Sequence, residues 1–402
     1  MSIDINVMIA EKIKCMTESA TIRMAQKSRD LAAKGVDVIS LSLGEPDFDT
    51  PDFIKDAAYD GLKKGYTKYT PVPGLVELRK AITEKLLKEN HLKYTTDQIV
   101  VSNGAKQSIA NICMSIINPG DEVIIFAPYW VSYFEIVKFN EGIPVVISGD
   151  ISRDFKVTSA QVEAAITDKT RLIIYSSPCN PTGSVFTKEE LTAIAEVIKK
   201  HNNIVVISDE IYEHINFTGD HFSIAQVEGM QDITAIVNGF SKAFAMTGWR
   251  LGYMAGPTWL ASACNKVQGQ ITSGAASFSQ YAAAVALRAD QDEMSTMVTA
   301  FKKRRDLVIQ LLREIPGVKV NVPTGAFYVF PDISHYFGKS NGNITINDAD
   351  DFCEMLLSEA HVGSVSGVAF GDPNCFRISY AASEDNIRKA ISNIKRVLED
   401  FK

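Results

Sequence analysis

Between residues 97 and 256, short runs dense in isoleucine and valine alternate with stretches of helical periodicity, and this restricts the fold more than any other feature. "QIVVSNG" leads into "AKQSIANICMSIIN", where Ile109, Ile112, Cys113 and Ile116 recur at helical spacing until "PGD" at 119–121 stops the run. "EVIIFAP" follows. Further on, "RLIIYSSP" precedes a helix opened by Thr187 and Glu190, a pair with capping-box spacing. "NIVVISDE", "DITAIVNGF" and "RLGYMAG" complete the series. Strands that are apolar on both sides must be covered on both faces, so the pattern predicts an α/β fold with a mostly parallel sheet between helices.

The rest of the chain has a different texture. A long charged amphipathic helix is expected over 291–316, then "TGAFYVFPDI", a helix near 347–360, "CFRISYAAS" and a terminal helix in "SEDNIRKAISNIKRVLEDF". With 402 residues and 46% hydrophobic content there is room for two units. The division expected is a large domain over 50–289 and a smaller α/β domain made of 1–49 and 290–402.

Several function classes fall away. The formal charge of -7 argues against a nucleic-acid partner. The basic run Lys302–Arg305, followed by Asp306 in an amphipathic stretch, reads as a solvated helix face. The six cysteines show no CxxC pair, which fits a reducing, cytoplasmic setting. No segment reaches the roughly 18 apolar residues of a membrane span, and the histidines form no short metal-ligand pairing. "FGKSNG" at 337–342 ends like a phosphate-binding loop, but Ile333 stands where that loop needs glycine.

In parallel sheets, ligands bind beyond the carboxyl ends of the strands. Here those ends carry "SNGAK", "SSPCNPTG", "SDEIY" and "NGFSK", so four strand ends bearing Gly, Asn, Asp and Lys are expected to share one pocket. Lys242 follows an apolar run and a small-residue turn, with Arg250 eight positions on. Desolvation and a nearby cation both favour the neutral amine, the form that attacks a carbonyl.

The ordered set "SLGEPDFDTP", "KYTPVPGLVELR", "PYWVSY", "SPCNPTG", "SDEIY", "SKAFAMTGWRLGY" and "FRISYA" resembles the class I aminotransferases of the pyridoxal-phosphate fold type I superfamily, most of all the bacterial subgroup of aspartate aminotransferases. The resemblance covers residues 19–380. It implies pyridoxal 5'-phosphate as cofactor, and a ping-pong exchange between an amino acid and a 2-oxo acid through pyridoxal and pyridoxamine forms. It also implies a homodimer with its sites at the subunit interface.

The resemblance makes Lys242 the cofactor-bearing lysine and the base that moves the substrate proton. Asp209, at the end of an apolar strand, would keep the pyridine nitrogen protonated, although an aspartate there could instead cap a helix. Tyr212 and Asn180 would donate to the phenolic oxygen. Gly104, Ala105 and Lys106 open a helix whose amides suit a phosphate, and Arg250 adds a fork of donors. Trp130 would lie against the pyridine ring. Arg377, set in the apolar string "CFRISYA", needs an anion, and the substrate α-carboxylate is its natural partner, with Gly44 allowing close backbone approach. Tyr69 and, more weakly, Ser273 would serve the site of the partner subunit. Two departures from the family pattern stand at the phosphate: Gly239 where many relatives have serine, and Gly274 where asparagine is usual.

Acidic donors, aspartate and glutamate, are expected on the strength of Lys106. Animal-type relatives supply the cation for the second carboxylate from an arginine that "KVQGQITSGAAS" lacks, whereas the bacterial subgroup uses a lysine at this position; Ser19 and Thr21 could assist. The alternative is that Lys106 only supports the phosphate or is solvated. The alternatives are a broader or different donor range (prephenate, aromatic, alanine) and another reaction on the same fold, such as a β-lyase. Some relatives that use prephenate carry lysine where this chain has Thr17.

Overall fold

The computed structural model describes residues 8–219, 221–289 and 292–402; residues 290 and 291, at the expected domain junction, lie outside the described residues. In chain order the strands are β1 (Ile39–Ser40), β2 (Ile99–Ser102), β3 (Glu122–Ala127), β4 (Ile143–Ser148), β5 (Thr170–Ser176) and β6 (Val205–Asp209). They continue with β7 (Thr234–Gly239), β8 (Gly252–Ala255), β9 (Tyr328–Val329), β10 (Val362–Gly363), β11 (Val365–Ser366) and β12 (Phe376–Ser379).

Strands β2 to β8 form one seven-stranded sheet in the order β2-β8-β7-β6-β5-β3-β4. The pairings from β7 through β4 are parallel, and β8 runs antiparallel to both its neighbours. The alternation of side chains divides each strand between two cores. Along β5, Leu172 and Ile174 join one cluster with Ile109, Ile112 and Leu260, while Ile173 and Tyr175 join another with Leu191, Ile194 and Ile198. Every residue of β6 and β7 is buried, and the apolar stretches Val205–Ile207 and Ala235–Val237 meet that burial on both faces. The helix Lys188–Ile198 starts at a capping box: the Glu190 N–H donates to Thr187 Oγ1 at 3.3 Å and the Thr187 N–H to Glu190 Oε2 at 2.8 Å.

A further core draws Met24, Ile39 and Leu41 together with residues of the helices Asp292–Arg313, Ala349–Glu359 and Glu384–Leu398. Beside it lie a two-stranded parallel sheet, β1-β10, and a three-stranded antiparallel sheet, β11-β12-β9. Tyr212 and Ile215, just past β6, belong to this same core, so it is continuous with the carboxyl edge of the large sheet.

One expectation is corrected here. The basic run on helix Asp292–Arg313 is only partly solvated: Lys303 is 72% exposed, but the Arg304 side chain is 13% exposed and pairs with Asp47 at 2.6 Å. Its guanidinium lies 5.1 Å from the ring centre of Phe48 and 5.8 Å from that of Phe301. A planar cation can cover an aromatic face while keeping its charge paired, which periodicity alone does not reveal.

Candidate active site

The carboxyl ends of the central strands open into a cavity of about 320 Å³. Ala105 and Lys106 reach it from beyond β2, Trp130 from beyond β3, Asn180 from beyond β5, Asp209 from the end of β6, Tyr212 from just past it, and Lys242 from beyond β7. Ser19, Thr21, Gly44 and Arg377 also line it. Four cations (Lys106, Lys242, Arg250, Arg377) face two carboxylates (Glu45, Asp209) in this wall, so the space is built for a guest with more than one negative group.

Lys242 donates from Nζ to the carbonyl of Gly44 at 2.5 Å and sits 5.7 Å from the ring centre of Tyr212. Burial first, then the charges of Arg377 and Arg250, brings its amine down to about 8, so a usable fraction is neutral near physiological pH. Gly44 is required as glycine: a Cβ there would stand 2.1 Å from the hydroxyl of Tyr328.

Asp209 is 4% exposed and accepts a hydrogen bond from the Tyr133 hydroxyl at 2.5 Å and from the Ile211 N–H at 3.2 Å. Burial pushes its carboxyl up to about 6, against these two donors, which favour the charged form. A cation placed beside it would complete its ionisation. Tyr212 shares a hydroxyl–hydroxyl bond of 2.6 Å with Tyr328, and burial holds its phenol protonated, well above the ordinary value.

Arg250 has φ 52°, a left-handed conformation costly for a side chain of this kind, and its Nη1 donates to the carbonyl of Thr247 at 2.8 Å. The guanidinium thereby lies against Gly104, the residue that opens helix Ala105–Ile116 with φ 84°; a Cβ at 104 would meet Arg250 Nη2 at 2.6 Å. A helix N-terminus and a guanidinium thus flank one spot, an arrangement suited to a phosphate. Lys106 holds its ammonium 4.9 Å from the Trp130 ring centre, and burial followed by Arg250 lowers its pKa.

Arg377 is 2% exposed, stacked between Tyr328 at 4.6 Å and Phe370 at 4.9 Å. Its Nη1 donates to Asn180 Oδ1 at 2.9 Å and its Nη2 to the carbonyl of Ser42. Among the described residues its Nε has no partner and no carboxylate pairs with it. A buried cation so placed is short of an anion.

Tyr69 and Ser273 do not line this cavity; Tyr69 is 99% exposed. The two glycine departures have steric causes. A Cβ at Gly239 would stand 2.8 Å from Cα of Gly252, its partner across β7 and β8, and one at Gly274 would stand 2.3 Å from Thr70 Oγ1. Sequence reasoning missed Tyr133 and Tyr328. The first sits three residues after Trp130, a spacing that returns to the same side at a helix start; the second reads as core within "TGAFYVF". Short ligand spacing also missed two groups, Glu89–Glu213–His214 and Glu210–Glu213–His221, whose potential ligand atoms lie within 4.8 Å of one another. Lys85 lies on Glu213 and already supplies a cation there.

The sequence model of the class I and II aminotransferases matches residues 36–394. A Petunia hybrida protein named bifunctional aspartate aminotransferase and glutamate/aspartate-prephenate aminotransferase is 47% identical over 405 aligned positions, covering 100% of this chain and 85% of that one. The aspartate aminotransferase of Rhizobium meliloti superposes with a TM-score of 0.95 at 42% identity, over 98% of this chain and 99% of the other. That of Thermus thermophilus, solved with maleate, gives 0.92 at 40% identity, over 97% and 99%.

Proposed function

The chain belongs to the class I and II aminotransferases, and from that premise we propose that it moves an amino group between aspartate or glutamate and a 2-oxo acid in a ping-pong cycle, with pyridoxal 5'-phosphate carried on Lys242. The observation that carries the reading is the convergence of three cations, Lys106, Arg250 and Arg377, with the depressed Lys242 amine on one cavity. The residues fit the cofactor: a carboxylate made ready for a cation at Asp209, and a glycine cradle beside Arg250 that a Cβ would fill. When bound, the cofactor supplies the electron sink for the bond broken at the substrate Cα.

The protein's own groups then have separate tasks. Lys242 would hold the cofactor through its neutral amine and, once released, would move the proton from the substrate Cα to the cofactor C4'. Asp209 keeps the pyridine nitrogen protonated; Tyr212 and Asn180 donate to the phenolic oxygen. Gly104, Ala105 and Arg250 receive the phosphate, and Trp130 covers the ring. Arg377 takes the α-carboxylate beside Gly44. Lys106 meets the side-chain carboxylate, assisted by Ser19 and Thr21. Tyr69, fully exposed, and Ser273 complete the site of a second copy in a homodimer. The large unit would span 50–289, with 1–49 and 290–402 forming the smaller one. The six cysteines are free, and no described helix is long and apolar enough to cross a membrane, both of which support a cytoplasmic setting.

The experiment is donor profiling with 2-oxoglutarate in wild type and Lys106→Ser. Loss of a charge-assisted bond should lower catalytic efficiency for aspartate by about one to two powers of ten, with alanine and phenylalanine little changed. An equal loss for all donors would reassign Lys106 to the phosphate. A second reading, prephenate as an additional acceptor, is favoured by the half-exposed apolar Ile22 and Leu43 in the cavity wall and by the name of the Petunia protein. Turnover of prephenate with aspartate tests it.

A further inference from the structure

The turn after β6 has two sides. Asp209 and Tyr212, three residues apart, line the cavity, whereas Glu210 and Glu213, also three apart, are buried away from it. Glu210 accepts from the hydroxyls of Ser208 at 2.7 Å and Ser223 at 2.5 Å and pairs with His221 at 2.9 Å. Glu213 binds three different donors. Its Oε1 accepts from Lys85 and, at 2.6 Å, from Asn238, and its Oε2 accepts from Asn90 at 2.9 Å. Lys85 also donates to Asn90 at 2.7 Å and lies 3.6 Å from Glu89, which in turn pairs with His214 at 2.8 Å. Lys85 and Glu213 are 1% and 4% exposed.

Burial would raise the Glu213 carboxyl, but Lys85 and, after it, His214 hold it well below the usual range, so the group is a fixed anion. A buried ion pair is a poor stability device, because well-packed apolar groups serve as well or better. What it supplies is direction. The β6–β7 ladder ends at Asp209 and Val237, with one more bond from the Glu210 N–H to the Val237 carbonyl at 2.8 Å. Beyond that point Glu213 and Asn238 are joined by their side chains. Asn238 lies four residues before Lys242, and its Oδ1 also fixes the Gly239 N–H at 2.7 Å. Glu213 follows Tyr212 directly.

We propose that Glu213, anchored by Lys85 and Asn90, is a positioning residue that sets Lys242 against Asp209 and Tyr212 through its bond to Asn238. This rests on the transamination reading of the cavity. Displacements of about 1 Å at a reacting centre can cost about a hundredfold in rate, so a bond spanning these two segments should be felt in kcat rather than in substrate affinity.

Two variants test it. Glu213→Gln keeps the shape and removes the charge, but leaves Lys85 short of its counter-ion and can lose stability. Asn238→Leu keeps the ion pair and cuts the link between the segments, together with the contact from the Gly239 N–H to the Asn238 Oδ1. With pyridoxal 5'-phosphate bound and aspartate and 2-oxoglutarate as substrates, Asn238→Leu should lose about tenfold or more in kcat with KM changed less than about twofold. The pH midpoint of the absorbance of the Lys242-linked cofactor should also move, a signature that a purely structural bond would not affect. Folded Glu213→Gln should show the same pair of changes. Wild-type kcat and an unmoved absorbance midpoint in Asn238→Leu, with or without a lower melting temperature, would overturn the inference alone. Failure of wild type to show a Lys242-linked absorbance or any turnover would overturn the reading of the site as well.

Discussion

Arg377→Lys tests the proposed seat of the α-carboxylate apart from everything else in the cavity. The arginine is held by two bonds, to Asn180 at 2.9 Å and to the Ser42 carbonyl, and by the flanking rings of Tyr328 and Phe370. With two edges of its guanidinium spent on that anchorage, the unpartnered Nε and the remaining N–H groups can meet a carboxylate with two parallel bonds. An ammonium is a point charge; it cannot keep the anchorage and also offer the fork, so at best one substrate bond survives. A hydrogen bond to a charged group contributes about 1.5–3 kcal/mol, so losing one should lower kcat/KM by roughly 10- to 150-fold. The assay is steady-state kcat/KM for aspartate, glutamate, alanine and 2-oxoglutarate, with a melting curve to verify folding. Every substrate carries the carboxylate that Arg377 would bind, so the loss should be the same for all four. Wild-type efficiency, or a loss confined to the acidic donors, would refute the assignment.

Other outcomes follow from the same geometry. Because the Lys242 amine is depressed from 10.5 to about 8, its protonated form burdens the fold below about 8 and that burden lifts as pH rises towards 10.5. Capture of pyridoxal 5'-phosphate by the apo-protein should accelerate up to about pH 8 and then level off; a rise continuing to pH 10 would contradict the shift. Tyr133→Phe removes a donor from buried Asp209, so the apo-protein should lose about 1–3 kcal/mol at neutral pH and kcat should fall with little change in KM; denaturant unfolding and steady-state kinetics measure the two. Gly104→Ala drives a methyl into Arg250 at 2.6 Å and strains a left-handed residue. Its cofactor affinity, read by fluorescence titration, should weaken about tenfold or more, and unaltered binding would remove Gly104 and Arg250 from the phosphate site.

What could be seen in the sequence divides by the range of the interaction. The runs of β5, β6 and β7 were legible because both faces are buried, so local composition reports the tertiary environment. Strand β4 was not: it lies at the sheet edge, its residues are exposed or half-buried throughout, and it contains Pro144, so "IPVVIS" lacks the signature of its neighbours. Lys242, Asp209 and Arg377 stand out as charges in apolar strings. Tyr133 does not, because its significance lies in a bond to a residue 76 positions away. Lys85 and Glu213 are 128 positions apart and each resembles an ordinary surface charge until the fold buries both. Arg304 was misread for the same reason, its partners Asp47 and Phe48 lying in a distant segment.

The central claim is that Lys242 carries the cofactor through an amino-group exchange. Its most direct test is absorbance of the protein loaded with pyridoxal 5'-phosphate, first on adding aspartate without acceptor, then on adding 2-oxoglutarate. Wild type should lose the band of the Lys242-linked cofactor on the first addition and recover it on the second, while Lys242→Ala should lack that band and complete no cycle. A band that aspartate leaves untouched, or that 2-oxoglutarate fails to restore, or a Lys242→Ala protein that cycles like wild type, would contradict the account.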